Sequence, residues 1–175
     1  MKLTLPTWLT LLRIVLIPVL VLVFYLPHKW TNFAAAFIFI LAAVTDWLDG
    51  WIARRYHLYS AFGAFLDPVA DKLMVCAALI VLLDLSRVDA FISLIIIGRE
   101  ITISALREWM AKIGASASVA VHRLGKFKTA AQMVAIPCLL YNQPIYGVSS
   151  KLLGDVLIVV AAVLTVWSML DYLQR

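Results

Sequence analysis

Six long apolar segments, separated by short polar stretches, dominate the hydropathy pattern of the chain. A segment of about 20 apolar residues is long enough to cross a bilayer as a helix, and a helix satisfies its own backbone in lipid. The pattern therefore predicts an all-α, polytopic membrane protein with six transmembrane helices, forming one domain over residues 1–175. The predicted spans are Trp8–Tyr25, Asn32–Arg54, Phe62–Leu85, Ala90–Lys112, Thr129–Tyr141 and Leu152–Tyr172.

The composition agrees with a membrane protein. Hydrophobic residues make up 64% of the chain and charged residues 14%, whereas soluble domains carry about 45–50% and about 25%. The net charge of +5 comes from lysines and arginines concentrated in particular polar stretches. No basic stripe on a soluble surface is predicted, so we expect no nucleic-acid partner. Membrane lipids and phosphorylated substrates are the expected partners.

The basic residues of the polar stretches predict the orientation in the membrane. With six spans, one side receives Lys2, Arg54, Arg55, Arg107, Lys112, Arg123, Lys126, Lys128 and Arg175. The other side receives Lys29, Arg87 and Lys151. The positive-inside rule then places both termini, and the end of the second span, on the cytoplasmic side.

Four carboxylates interrupt the apolar pattern, and we call them the acid cluster: Asp46, Asp49, Asp67 and Asp71. The first two are spaced i,i+3 and the last two i,i+4, so each pair shares one face of its helix. If the second and third spans are antiparallel neighbours, the two pairs face each other near the cytoplasmic surface. Carboxylates at membrane depth are costly and indicate a functional site. A divalent cation bound by oxygen ligands would supply the missing counter-charge.

Residues beside the acids suit a phosphorylated substrate. Gly50 and Gly63 allow close approach of backbone or substrate. Arg54 follows Asp46 by eight positions, where its guanidinium can meet a phosphate oxygen. Two metal ions held close together form a recurring clamp for displacement at phosphorus. The residues thus favour chemistry on a diphosphate.

Two other interpretations of the acid cluster stay open at this level. The carboxylates could be structural ion-pair partners of Arg13, Lys72 and Arg99, since polar bundle interiors also occur in membrane proteins. They could instead line a pathway for ions or protons, as in a cation transporter or channel.

The spacing of the motif adds a resemblance. The pattern Asp46-x2-Asp49-Gly50-x2-Ala53-Arg54-x8-Gly63-x3-Asp67-x3-Asp71 resembles, at each fixed position, the signature of the CDP-alcohol phosphotransferase family. The resemblance implies a six-helix membrane enzyme, commonly a homodimer, with two Mg²⁺ or Mn²⁺ ions near the cytoplasmic surface. Such enzymes transfer a phosphatidyl or phospho-alcohol group from a CDP-linked donor to an alcohol, and release CMP.

The resemblance also implies a role for each residue of the motif. The four aspartates of the acid cluster correspond to the metal ligands, and Asp71 also corresponds to the proposed general base. The residues that correspond to the CDP-lipid pocket are Gly50, Ala53, Arg54 and Gly63.

Three further stretches narrow the expected acceptor. Those that begin at Leu9, Gly98 and Leu124 resemble the bacterial members of the family that use CDP-diacylglycerol and sn-glycerol 3-phosphate. The resemblance thus implies a phosphatidyltransferase of the bacterial cytoplasmic membrane, whose products are phosphatidylglycerophosphate and CMP. One departure is Thr7, where many members carry Asn. Inositol phosphate and phosphatidylglycerol are the alternative acceptors.

An anionic acceptor needs cationic side chains beside the metal ligands. The expected glycerol-phosphate-binding residues are Arg99 and Arg107 in the fourth span, and Arg123 and Lys126 in the segment after it. Lys112 and Lys128 are expected to contact anionic lipid headgroups instead.

Overall fold

The computed structural model describes residues 5–28, 30–56, 60–112, 123–145 and 147–173, with side chains at all of these positions except 61, 107, 111, 123–126, 145 and 170–173. Its helices are α1 (Leu5–Phe24), α2 (Thr31–Tyr56), α3 (Ala61–Asp84), α4 (Ala90–Lys112), α5 (Arg123–Tyr141) and α6 (Ser150–Leu173). A two-residue hairpin of β1 (Pro144–Ile145) and β2 (Val148–Ser149) precedes α6. The all-α prediction is confirmed.

Three helices of the described chain are long and apolar enough to cross a membrane, and they are Leu5–Phe24, Thr31–Tyr56 and Ser150–Met169. The other helices carry more charge: α3 contains Asp67, Asp71 and Lys72, and α4 contains Arg99 and Glu100. The chain is a membrane protein, and the count of six spans stays a prediction.

Helix α5 begins at Arg123, six positions before the Thr129 at which the sequence predicted its start. The prediction followed hydropathy, and the first turns of α5 are polar and basic. These turns are nevertheless helical. Whether a residue in them is buried depends on the neighbouring helices as well as on the residue type. Lys128 lies in them and is only 1% exposed.

Helix α1 packs against both α2 and α3, whereas α2 and α3 touch each other little. This corrects the predicted arrangement, in which α2 and α3 were direct neighbours at the acid cluster. An apolar core continues between the helices, with fully buried side chains that include Leu20, Phe39, Leu79, Leu139 and Ile158. Since α1 lies between α2 and α3, its polar residues must mediate between the two pairs of acids.

The end of the bundle away from the acid cluster is held by Arg87, in the connection between α3 and α4. Its Nη1 donates to the carbonyl oxygens of Leu139 (3.2 Å) and Leu140 (2.8 Å), and its Nη2 donates to Asn32 Oδ1 (3.0 Å). A cation at the C-terminal carbonyls of a helix is favourable. Burial lowers the pKa of Arg87. The contacts fix α5 against the start of α2.

Candidate active site

Arg13 of α1 lies at the centre of the acid cluster. Its Nη1 is 2.8 Å from Asp46 Oδ1 and 2.5 Å from Asp71 Oδ1, and its Nη2 is 2.6 Å from Asp49 Oδ2. The arginine is 1% exposed and Asp49 is 2% exposed, so water screens the contact between these two side chains only weakly. One guanidinium thus joins both halves of the motif, which come from different helices.

The fourth acid also contacts α1. The Thr10 hydroxyl, one turn before Arg13, hydrogen-bonds to Asp67 Oδ1. Thr10 itself is completely buried. All four carboxylates therefore contact Thr10 or Arg13 of α1. The spacing predicted only that each pair shares one face of its own helix.

The acids differ in accessibility. The side chain of Asp49 is 2% exposed, whereas those of Asp46 and Asp71 are 37% and 48% exposed. Asp46 and Asp71 line a cavity of about 360 Å³, which Arg13 also lines. A substrate in this cavity could reach the carboxylate of Asp71 directly, and could not reach that of Asp49.

The cavity has a second polar wall, made by α4 and α5. Arg99 and Glu100 of α4 and Gln132 of α5 line it together with Lys72 of α3. Arg99 therefore lines the same cavity as Asp46, Asp71 and Arg13, and its side chain is 15% exposed. Guanidinium groups beside one cavity suit an anionic ligand.

The glycines of the motif lie where a side chain would collide. A Cβ on Gly63 would lie 2.8 Å from Ser60 Oγ and 2.9 Å from Thr7 Oγ1. These two hydroxyls are 2.9 Å apart, and Ser60 Oγ also accepts from the backbone N–H of Gly63, which caps α3. Thr7 lies inside α1, which begins at Leu5, and its hydroxyl contacts the residue that caps α3.

Gly50 and Arg54 form a pair on α2. A Cβ on Gly50 would lie 3.3 Å from Arg54 Nη1, so the guanidinium lies over the glycine. Arg54 is exposed, and Ala53 beside it is partly buried. Gly50, Ala53 and Arg54 thus lie together near the C-terminal end of α2, close to the acid cluster in sequence but outside the lining of the cavity.

Three predicted acceptor residues have only their backbones described. Arg107 lies in α4, and Arg123 and Lys126 lie in the first turns of α5. Their side chains are outside the described part of the structure, so their contacts with an acceptor stay predictions.

Two lysines were predicted to contact lipid headgroups, and for Lys128 this is wrong. Lys128 is buried, with its Nζ 2.5 Å from Glu100 Oε1. Lys112 is exposed and pairs with Glu108 at 2.9 Å. Glu100 and Gln132 had no predicted role, although an acidic and an amide side chain inside apolar segments indicate a polar interior.

The acid cluster suits a divalent cation by its donor chemistry. Carboxylate oxygens are the ligands that Mg²⁺ and Mn²⁺ prefer. One guanidinium offsets only one of the four negative charges at the site. As the described side chains are arranged, no three carboxyl, imidazole or thiol groups form a ready set of ligands. The guanidinium of Arg13 lies among the carboxylates instead, so the structural ion-pair interpretation is correct for Arg13, and Arg99 pairs with Glu100.

The protein is thus a helical membrane protein whose cavity is lined by carboxylates of the acid cluster, which suit a divalent cation, and by arginines, which suit an anion. The chain belongs to the CDP-alcohol phosphatidyltransferase family, whose sequence profile matches residues 3–167. It is 53% identical to a protein of Escherichia coli (strain K12), over 99% of this chain and 95% of the relative. A protein of Sodalis glossinidius is 54% identical, over 99% of this chain and 94% of the relative. Both relatives are named CDP-diacylglycerol–glycerol-3-phosphate 3-phosphatidyltransferase.

Proposed function

We propose that this protein transfers the phosphatidyl group of CDP-diacylglycerol to sn-glycerol 3-phosphate, giving phosphatidylglycerophosphate and CMP. The observation that carries the proposal is the two-walled cavity. The carboxylate of Asp71, 48% exposed, and the guanidinium of Arg99, 15% exposed, line this same cavity. The similarity to relatives with this activity covers nearly the whole chain.

The donor lipid, CDP-diacylglycerol, would bind to the residues of the motif between Asp46 and Asp71. Asp46, Asp49, Asp67 and Asp71 would hold one or two divalent cations, Mg²⁺ or Mn²⁺. When bound, these ions neutralise the diphosphate and act as Lewis acids on it. Arg54 is exposed at the end of α2 and would contact the diphosphate. Gly50, Ala53 and Gly63 would line the nucleotide part of the site.

The acceptor is assigned to the opposite wall. Arg99 would bind the phosphate of glycerol 3-phosphate, with Arg107, Arg123 and Lys126 as further cations of the same subsite. A guanidinium binds phosphate through two parallel N–H donors, which also fixes the orientation of the acceptor. The C1 hydroxyl would then point toward Asp71.

The reaction itself is a displacement at phosphorus. Asp71 takes the proton from the C1 hydroxyl, and the oxygen attacks the phosphorus that carries the diacylglycerol group. A new P–O bond forms to glycerol phosphate, and the P–O bond to CMP breaks. Arg54 stabilises the charge that develops on the departing CMP. Arg13 holds the Asp71 carboxylate in place.

The orientation and the assembly belong to the same proposal. The basic ends of α2 and α4 support, by the positive-inside rule, a cavity that opens toward the cytoplasm, with both termini on that side. CDP-diacylglycerol would enter laterally from the cytoplasmic leaflet of a bacterial membrane. A homodimer is the assembly that the family resemblance implies.

Purified protein in detergent tests the proposal. CMP release is measured with CDP-diacylglycerol and each of four acceptors: glycerol 3-phosphate, inositol 1-phosphate, serine and phosphatidylglycerol. We expect release with glycerol 3-phosphate and formation of the phosphatidylglycerophosphate product. Release only with another acceptor would overturn the substrate assignment. Cation flux in liposomes without any transfer to an acceptor would instead support the pathway interpretation.

A further inference from the structure

Three charged side chains from α4 and α5 are in contact beside the cavity, and two of them, Arg99 and Glu100, line it. Glu100 Oε1 accepts from Lys128 Nζ at 2.5 Å and from Arg99 Nη1 at 3.1 Å. We call Arg99, Glu100 and Lys128 the charge triad. Two members come from α4 and the third from α5, so the triad joins these helices at the cavity.

The three members face the cavity differently. Arg99 and Glu100 line it, with side chains 15% and 20% exposed. Lys128 lies behind Glu100, with a side chain that is 2% exposed. A ligand in the cavity can therefore meet Arg99, whereas it cannot reach Lys128 without displacing Glu100.

Lys128 changes the net charge beside the cavity, although it does not line the cavity itself. Arg99 and Glu100 alone would sum to zero, and the carboxylate would compete with an anionic ligand for the guanidinium. With Lys128 the triad carries one net positive charge, in a buried setting where charges are weakly screened.

We propose that Lys128 is a positioning residue for the acceptor. By sharing the Glu100 carboxylate with Arg99, Lys128 weakens the hold of Glu100 on the guanidinium, so that Arg99 can bind the phosphate of the acceptor, and it keeps this wall of the cavity cationic. This rests on the proposed function, in which Arg99 binds the phosphate of glycerol 3-phosphate. It also explains why a lysine is buried at the start of α5, a position that lipid headgroups cannot reach.

The test is a charge series measured with CMP release in mixed micelles. Lys128→Met is expected to raise the KM for glycerol 3-phosphate at least about tenfold, because the triad becomes neutral. The KM for CDP-diacylglycerol and kcat should change less than about twofold. Lys128→Arg keeps the charge and should hold the KM near the wild-type value. Lys112→Met removes a lysine from an exposed ion pair and is the matched control.

The double variant separates charge from simple packing. Glu100→Gln alone leaves two positive charges, and its KM for glycerol 3-phosphate should be no higher than that of the wild type. Glu100→Gln with Lys128→Met restores one net positive charge, and its KM should return to within about threefold of the wild type. A merely structural ion pair predicts that Glu100→Gln raises the KM for glycerol 3-phosphate as much as Lys128→Met does, and that kcat falls in both single variants.

The outcomes test the positioning role of Lys128 separately from the proposed function. An unchanged KM in Lys128→Met, or a double variant as impaired as Lys128→Met, overturns the positioning role. If Lys128→Met does not fold, the comparison of Lys128→Arg with the double variant decides in its place. A wild-type protein that is inactive with glycerol 3-phosphate overturns the proposed function itself, before any variant is compared.

Discussion

Arg13 Nη2 lies 2.6 Å from Asp49 Oδ2, and the two side chains are 1% and 2% exposed. This is the most enclosed ion pair among the described residues of the acid cluster. The same guanidinium reaches Asp46 and Asp71, which open to the cavity. One buried contact therefore fixes the group that orients the accessible carboxylates.

Removal of Arg13 should cost both stability and activity. Arg13→Gln leaves Asp49 buried without its cation, and breaking such a pair costs about 3–5 kcal/mol. We expect a clearly lower unfolding temperature in detergent and at least about 100-fold less CMP release, since Asp46 and Asp71 lose their orientation. Arg13→Lys should retain part of both, because it keeps the charge and loses the two-pronged geometry.

The pair of Arg13 with Asp49 can be isolated by a double-mutant cycle. Arg13→Gln combined with Asp49→Asn should be more stable than Arg13→Gln alone, because the unpaired buried charge is gone. Additive losses in the double variant would contradict the ion pair as the source of the stability.

Asp71 and Asp49 should separate catalysis from stability. Asp71→Asn removes the proposed base from an accessible position, so kcat should fall by about 10²–10⁴-fold, the usual contribution of a general base. Its unfolding temperature should stay near that of the wild type. Asp49→Asn, at the buried position, should lower the unfolding temperature as well. CMP release and thermal unfolding are measured on the same preparations, and near-normal turnover of Asp71→Asn would disprove the assignment of the base.

Metal removal should abolish transfer. We expect a chelator to stop CMP release, and Mg²⁺ or Mn²⁺ to restore it, because the diphosphate and the acid cluster repel each other without a cation. Mg²⁺ should also raise the unfolding temperature of the wild type, and this shift should be lost in Asp67→Asn. Full activity after exhaustive chelation, or near-normal activity of Asp67→Asn, would show that the aspartates do not act as metal ligands.

Gly63 should tolerate no side chain. In Gly63→Ala the new Cβ would collide with Ser60 Oγ and Thr7 Oγ1, both under 3 Å away. We expect a loss of about 1–3 kcal/mol in the free energy of unfolding, from displacement of α1 against α3. Gly98→Ala is the matched control, since its Cβ meets nothing within 4 Å. Equal unfolding temperatures for the two variants would contradict the close approach at Gly63.

Local features of the sequence determined the helical class and the motif. The apolar segments predicted both ends of α3 and of α4 to within one residue, because membrane burial requires long apolar helices. The spacing of the four aspartates put each pair on one helical face, and helical geometry alone fixes that result. The family could likewise be inferred from the sequence, since its signature is a set of residue types at fixed spacing.

Only the tertiary structure decided which residues meet between helices. Arg13, Lys72 and Arg99 were the candidate partners of the acids, and packing of α1 between α2 and α3 selected Arg13. Lys128 had the sequence features of a loop residue, yet α5 starts early enough to bury it against Glu100. Contacts between residues far apart in the chain depend on how the helices pack, and hydropathy and spacing along a single segment carry no information about that packing.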